Sequence, residues 1–148
     1  MVSLSSLFQI LDIADSLDTV YWIDGGWALD AMAGRQQRDH NDLDIDFERR
    51  AMTAVLAAYQ AAGFQVKRDR LPVRIELEHP TLGELDIHPF ELLPDGQVRQ
   101  TRPDGNELVF NPLWTENTVL EGRTIPRVST VGKQIYMAEL AKEESHGK

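Results

Sequence analysis

Asn41-Asp42-Leu43-Asp44-Ile45-Asp46-Phe47 alternates polar and apolar residues with a period of two, the pattern of a β-strand with one buried face. Leu43, Ile45 and Phe47 fall on the side that faces a core. Asp42, Asp44 and Asp46 fall on the other. Three carboxylates on one strand face repel one another. A divalent cation relieves that repulsion, and hard cations take oxygen ligands. A solvated edge face is the alternative, although such faces carry Lys and mixed charge more often than three aspartates.

Working outward from this strand, the segment before it reads as strand, turn and helix. Tyr21-Trp22-Ile23 is a short apolar run broken by Asp24-Gly25-Gly26. Trp27 to Ala33 then reads as a helix closed by Gly34. The two glycines let the backbone approach a ligand closely. The free N–H groups and positive dipole end of the following helix favour a phosphate. Taken alone, the two glycines read more simply as a plain strand-to-helix turn. Arg35 to Asn41 is polar and reads as a loop. Farther upstream, Leu7, Ile10, Leu11, Ala14 and Leu17 recur at helical spacing after serines able to cap a helix.

Downstream, Ala51 to Ala62 is an alanine-rich helix with Gly63 as its stop. Phe64–Lys67, Val73–Glu78 and Leu85–Ile87 read as strands. Glu84-Leu85-Asp86-Ile87-His88-Pro89 repeats the alternation and sets Asp86 and His88 on one face. Pro94-Asp95-Gly96, Pro103-Asp104-Gly105 and Glu121-Gly122 are turn signals between short strands. Val131 to Ala141 has a helical pattern. The expected fold class is α/β (α+β): a mixed β-sheet with helices packed on it, a β-rich C-terminal part, and a single domain over residues 1–148.

Composition narrows the partners. The 148 residues include 15 Lys and Arg against 24 Asp and Glu, a net charge of -9. Such a chain repels a nucleic-acid backbone unless it carries a basic stripe. The densest basic stretch is Lys67, Arg68 and Arg70, so no nucleic-acid partner is expected. The acidic balance suits metal ions or an amine-bearing small molecule. There is no cysteine, which excludes disulfides and thiolate metal sites. No apolar run is long enough to span a bilayer. The first eighteen residues carry three aspartates and no Lys or Arg, unlike a secretory signal. A cytoplasmic location is expected, with no membrane partner.

Together, a Gly-Gly turn, a helix, an Asp-x-Asp strand and a third Asp on a distant strand make a two-metal phosphoryl site. Tyr21 to Asp30, Gly34 to Phe47, Arg74 to His79, Leu85 to Pro89 and Gly122 to Ser129 are similar to the lincosamide nucleotidyltransferases. The resemblance runs from about Leu7 to Ser129. The Gly-Gly-Trp and His-x-Asp-x-Asp segments also resemble those of aminoglycoside adenylyltransferases.

The resemblance implies a magnesium-dependent adenylyltransferase that moves AMP from ATP to a hydroxyl of lincomycin or clindamycin, giving antibiotic resistance. It implies two Mg2+ ions at Asp42, Asp44 and Asp86, which are the catalytic residues and metal ligands. Gly25, Gly26, Trp27 and Arg38 are the candidate nucleotide-binding residues. Asp46, Arg74, Glu76 and His88 are the candidates for the acceptor side. For the general base, the residues leave Asp86 and His88 both open. A homodimer is expected, with Phe110 and Trp114 as interface or core residues. The alternatives are an adenylyltransferase for another small molecule, such as an aminoglycoside, and a non-catalytic or antitoxin-type binding module on the same fold.

Overall fold

The computed structural model describes residues 1–111 and 115–128. Its elements run α1 (Leu4–Ser16), β1 (Tyr21–Asp24), α2 (Gly25–Ala33), β2 (Asp42–Glu48), α3 (Met52–Ala61), β3 (Gln65–Arg70), β4 (Arg74–His79), β5 (Gly83–Leu92), β6 (Val98–Thr101), β7 (Glu107–Phe110), β8 (Thr115–Leu120) and β9 (Arg123–Val128). A single turn of 3-10 helix at Arg49–Ala51 leads into α3. This is the expected mixed α/β arrangement. Trp114 and the helix expected at Val131 to Ala141 lie outside the described residues.

The strands form one mixed sheet in the order β3-β4-β5-β2-β1-β9-β8, from which β6 and β7 branch at the far end of β5. The sequence-decisive strand, β2, lies inside the sheet. It runs antiparallel to β1 and parallel to β5. The alternation on β2 therefore has its predicted consequence. Leu43, Ile45 and Phe47 are fully buried, as are Ile23 of β1, Leu85 and Ile87 of β5 and Leu77 of β4. Leu7, Ile10, Leu11 and Ala14 of α1, Trp27, Ala28 and Ala31 of α2, and Val55 and Tyr59 of α3 complete the same apolar cluster. Tyr59 also donates its hydroxyl to the Ile10 carbonyl at 3.0 Å, which pairs a buried polar group that burial would otherwise penalise.

A smaller cluster forms on the opposite face. Trp22 and Phe90 stack with centroids 4.2 Å apart, and Val98, Leu108 and Phe110 from the β6–β7 hairpin close over them. Phe110 belongs to this core, one of the two roles expected for it. The three turn signals of the last third link β5 to β6, β6 to β7 and β8 to β9, as expected. At the first two, Asp95 and Asp104 accept from the backbone N–H two residues on, the usual reason for aspartate in such turns.

Several boundaries differ from expectation: β3 runs to Arg70 rather than Lys67, the ends of β4 and α3 shift by one residue, and two further differences lie at the site. Helix α2 starts at Gly25 rather than Trp27, because the Asp24 carboxylate accepts from the Gly25 N–H at 2.7 Å and caps the helix early. Strand β5 spans Gly83–Leu92 rather than Leu85–Ile87. It runs on through Pro89 because pairing with β4 stops at Ile87, so the missing proline N–H costs no bond on that side.

Candidate active site

The polar face of the sheet is a grid fixed by register. One row runs Asp24, Asp44, Asp86, Glu76 and Arg68 across β1, β2, β5, β4 and β3. The next holds Trp22, Asp46 and His88. On the other side lie Asp42, Glu84 and Glu78. Adjacent strands are about 5 Å apart, so four carboxylates stand side by side in the first row. This crowding is the expected carboxylate face, extended by β5 and β4.

The grid brings Asp44, Asp86 and His88 together. One ligand atom from each lies within 4.8 Å of the others. His88 Nε2 is 3.3 Å from Asp44 Oδ1 and 3.5 Å from Asp86 Oδ2. Burial alone would lower the His88 pKa, but its hydrogen bonds to Asp44 and Asp86 and the charge of Asp46 raise it to about 11. Arg74 Nη1 is 3.5 Å from the same Asp86 oxygen. Asp42 is exposed, one row away and opposite Glu84. Partial burial and then repulsion from Asp44, Asp86 and Glu84 raise its pKa.

The chain's own donors suit a divalent cation here. Asp86 Oδ1 is buried and has no hydrogen-bond partner among the described residues. An unpaired buried carboxylate oxygen is costly, and a bound cation would satisfy it. The dominant donors are carboxylates, the ligands magnesium prefers. The turn beside them is open for a related reason. A Cβ built on Gly25, whose φ is +66°, would collide with Asp44 Oδ2. Only glycine lets the turn and β2 lie this close.

The other candidates fall into three groups. Arg74 and Glu76 are half-buried beside Asp86, with Arg74 Nη2 3.7 Å from Glu76 Oε1. Arg38 is exposed on the loop after α2. Two candidates turn inward. Trp27 is 1% exposed, and its indole N–H donates to the Val2 carbonyl. Asp46 is 5% exposed; its Oδ2 accepts from Trp22 Nε1 at 2.8 Å and Gln100 Nε2 at 3.2 Å. Burial pushes its carboxyl up to about 7. The branch of β6 and β7 off β5 lays a roof over this end of the face, which strand alternation could not reveal.

Sequence reading missed three participants. Trp22 and Gln100 hold Asp46, and Asp30 holds His40 at 2.6 Å. Asp30 did leave a signal: it is a charged residue on the apolar stripe of α2, between Trp27 and Ala31. The partner of such a residue is not legible from spacing.

This chain is 37% identical over 135 residues to a lincosamide resistance protein from Staphylococcus haemolyticus, covering 91% of this chain and 84% of that protein. Its fold matches a lincomycin-bound crystal structure of the lincosamide antibiotic adenylyltransferase LnuA, with a TM-score of 0.85 and 37% identity over 91% of this chain and 85% of that one. It also matches the crystal structure of ANT(2'')-Ia in complex with adenylyl-2''-tobramycin, with a TM-score of 0.64 and 25% identity over 84% of this chain and 68% of that one. The sheet and its helices are thus the expected nucleotidyltransferase fold. A family model described as aminoglycoside-2''-adenylyltransferase matches residues 6–146, and with these likenesses the chain belongs to that family of nucleotidyltransferases.

Proposed function

We propose that this chain transfers AMP from ATP to a hydroxyl of a lincosamide antibiotic, releasing pyrophosphate and conferring resistance. The observation that carries the acceptor is the near full-length similarity to a lincosamide resistance protein. An aminoglycoside acceptor is the second reading, favoured by the description of the matching family. A non-catalytic binding module is disfavoured, because the three carboxylates and both glycines are all present.

Asp44 and Asp86 would hold magnesium, with Asp42 completing the set at the rim and two ions in all. Bound there, magnesium supplies stabilisation of the charge that develops on the transferred phosphoryl group. Gly25, Gly26 and the backbone of Trp27 offer N–H groups at the start of α2 to the triphosphate. Arg38 reaches the same phosphates from its loop, with a guanidinium suited to phosphate oxygens. Arg74 and Glu76 flank Asp86 on the acceptor side. His88 orients the Asp44 and Asp86 carboxylates through its hydrogen bonds, and Asp46 stands beside it in the next row, held by Trp22 and Gln100. The acidic face attracts an acceptor that carries an amine.

The enzyme acts as one domain over residues 1–148, in the cytoplasm, as a homodimer, on small molecules rather than nucleic acid. Among the described residues no helix is long and apolar enough to cross a membrane. Pyrophosphate release with ATP and magnesium, measured across a panel of lincosamides and aminoglycosides, tests the proposal. Release with lincosamides is expected. Release with aminoglycosides only would favour the second reading, and none with any antibiotic would favour the binding module.

A further inference from the structure

Behind the glycine turn lies a buried polar pair that the proposed chemistry does not use. Asp30, in the middle of α2, is 0% exposed, and His40, on the loop before β2, is 8% exposed. His40 Nε2 lies 2.6 Å from Asp30 Oδ2. The same Asp30 oxygen accepts from the backbone N–H of Gln37 at 3.0 Å. The other edge of the His40 ring is pressed against the turn. A Cβ built on Gly26 would stand 2.6 Å from His40 Nδ1 and 2.8 Å from its Cε1. So the side chain missing at Gly26 makes room for His40, as the one missing at Gly25 makes room for Asp44.

His40 is held from its other sides as well. Its ring packs against the Trp27 indole with centroids 4.5 Å apart. Its carbonyl accepts from the Val2 N–H at 2.7 Å, and the Val2 carbonyl accepts from Trp27 Nε1. Three parts of the site meet at this ring: the Gly25-Gly26 turn, the loop that carries Arg38, and the first residues of β2. A buried hydrogen-bonded pair costs desolvation, and an apolar pair would fill the space without that cost. What the polar pair adds is one fixed direction and distance between these parts.

From this geometry, and resting on the nucleotidyl-transfer reading above, we infer that His40, locked by Asp30, is a positioning residue that sets the phosphate-binding turn and the Arg38 loop against the carboxylate strand. It touches neither substrate. Its effect falls on the nucleotide, because the turn and loop it fixes face the triphosphate, while the acceptor side is built from β4 and β5. A displacement near 1 Å at such a site costs on the order of tenfold to a hundredfold.

The test compares His40→Leu, which fills the space but cannot bond to Asp30, with His40→Gln, whose amide N–H can reach the position of Nε2. Thermal unfolding establishes that each variant is folded. MgATP affinity is read by calorimetry, and KM for ATP and for lincomycin is read in steady state. His40→Leu should weaken MgATP binding and raise KM for ATP by about tenfold or more, with KM for lincomycin little changed. His40→Gln should recover most of the loss. If His40→Leu does not fold, Asp30→Leu makes the same comparison, since it fills a similar space and removes the oxygen that His40 bonds to. Unchanged ATP parameters in folded His40→Leu, or equal losses for ATP and lincomycin, would overturn the inference. So would a His40→Gln enzyme as impaired as His40→Leu. Failure of the wild-type chain to bind MgATP would instead remove the nucleotidyl-transfer reading, and this inference with it.

Discussion

At the scale of single residues, the site is an excess of negative charge balanced by few cations. Asp44 and Asp86 face each other across β2 and β5, with His88 and Arg74 as the nearest positive groups. Asp44→Asn and Asp86→Asn should each lower kcat by about a thousandfold while far-UV circular dichroism stays native. A variant with near wild-type turnover would refute the ligand assignment. Gly25→Ala should also be severely impaired, since its Cβ meets Asp44 Oδ2 at a positive φ. Full activity in that variant would mean the turn does not abut the Asp44 carboxylate. Asp30 makes a pH prediction. Burial raises its carboxyl pKa, but hydrogen bonds from His40 and the backbone of Gln37 and Arg38 outweigh this and hold it below the ordinary range. A folded-state pKa below the unfolded one gives stability that is present above about pH 3.9 and lost as pH falls through the folded value. The urea midpoint of wild type should therefore exceed that of Asp30→Asn at pH 7, and the gap should close on acidification. A gap independent of pH would contradict this.

At the scale of elements, the parallel pairing of β2 with β5 aligns Asp42, Asp44 and Asp46 with Glu84, Asp86 and His88. Both alternations were legible in the sequence, because a two-residue period survives in any strand with one buried face. The register between them was not, since strand order depends on contacts far apart in the chain. The β6–β7 hairpin was visible from its turns, but not its landing place on Trp22 and Phe90. That landing decides the fate of Asp46, which Gln100 of β6 covers. The hairpin's hold can be measured. Phe90→Ala should destabilise the chain by about 3–5 kcal/mol in urea unfolding, because Phe90 is fully buried and stacked on Trp22. A loss under about 1 kcal/mol would show that the surroundings collapse into the space left behind.

At the scale of the whole molecule, a net charge of -9 and an acidic sheet face create a field that draws in cations. Long-range attraction between exposed charges is screened within about 8 Å at physiological salt. Raising ionic strength should therefore raise KM for a cationic acceptor and leave kcat largely unchanged. A fall in kcat with constant KM would place the field's effect on chemistry instead. The choice of acceptor is the part of the account least determined by charge, because aminoglycosides carry positive charge too. It rests on similarity across nearly the whole chain. The most direct test is to incubate the purified protein with ATP, magnesium and lincomycin and to weigh the antibiotic by mass spectrometry. The account predicts lincomycin heavier by one adenylyl group, and no such product from Asp44→Asn. Unmodified lincomycin alongside an adenylylated aminoglycoside from the same preparation would contradict it.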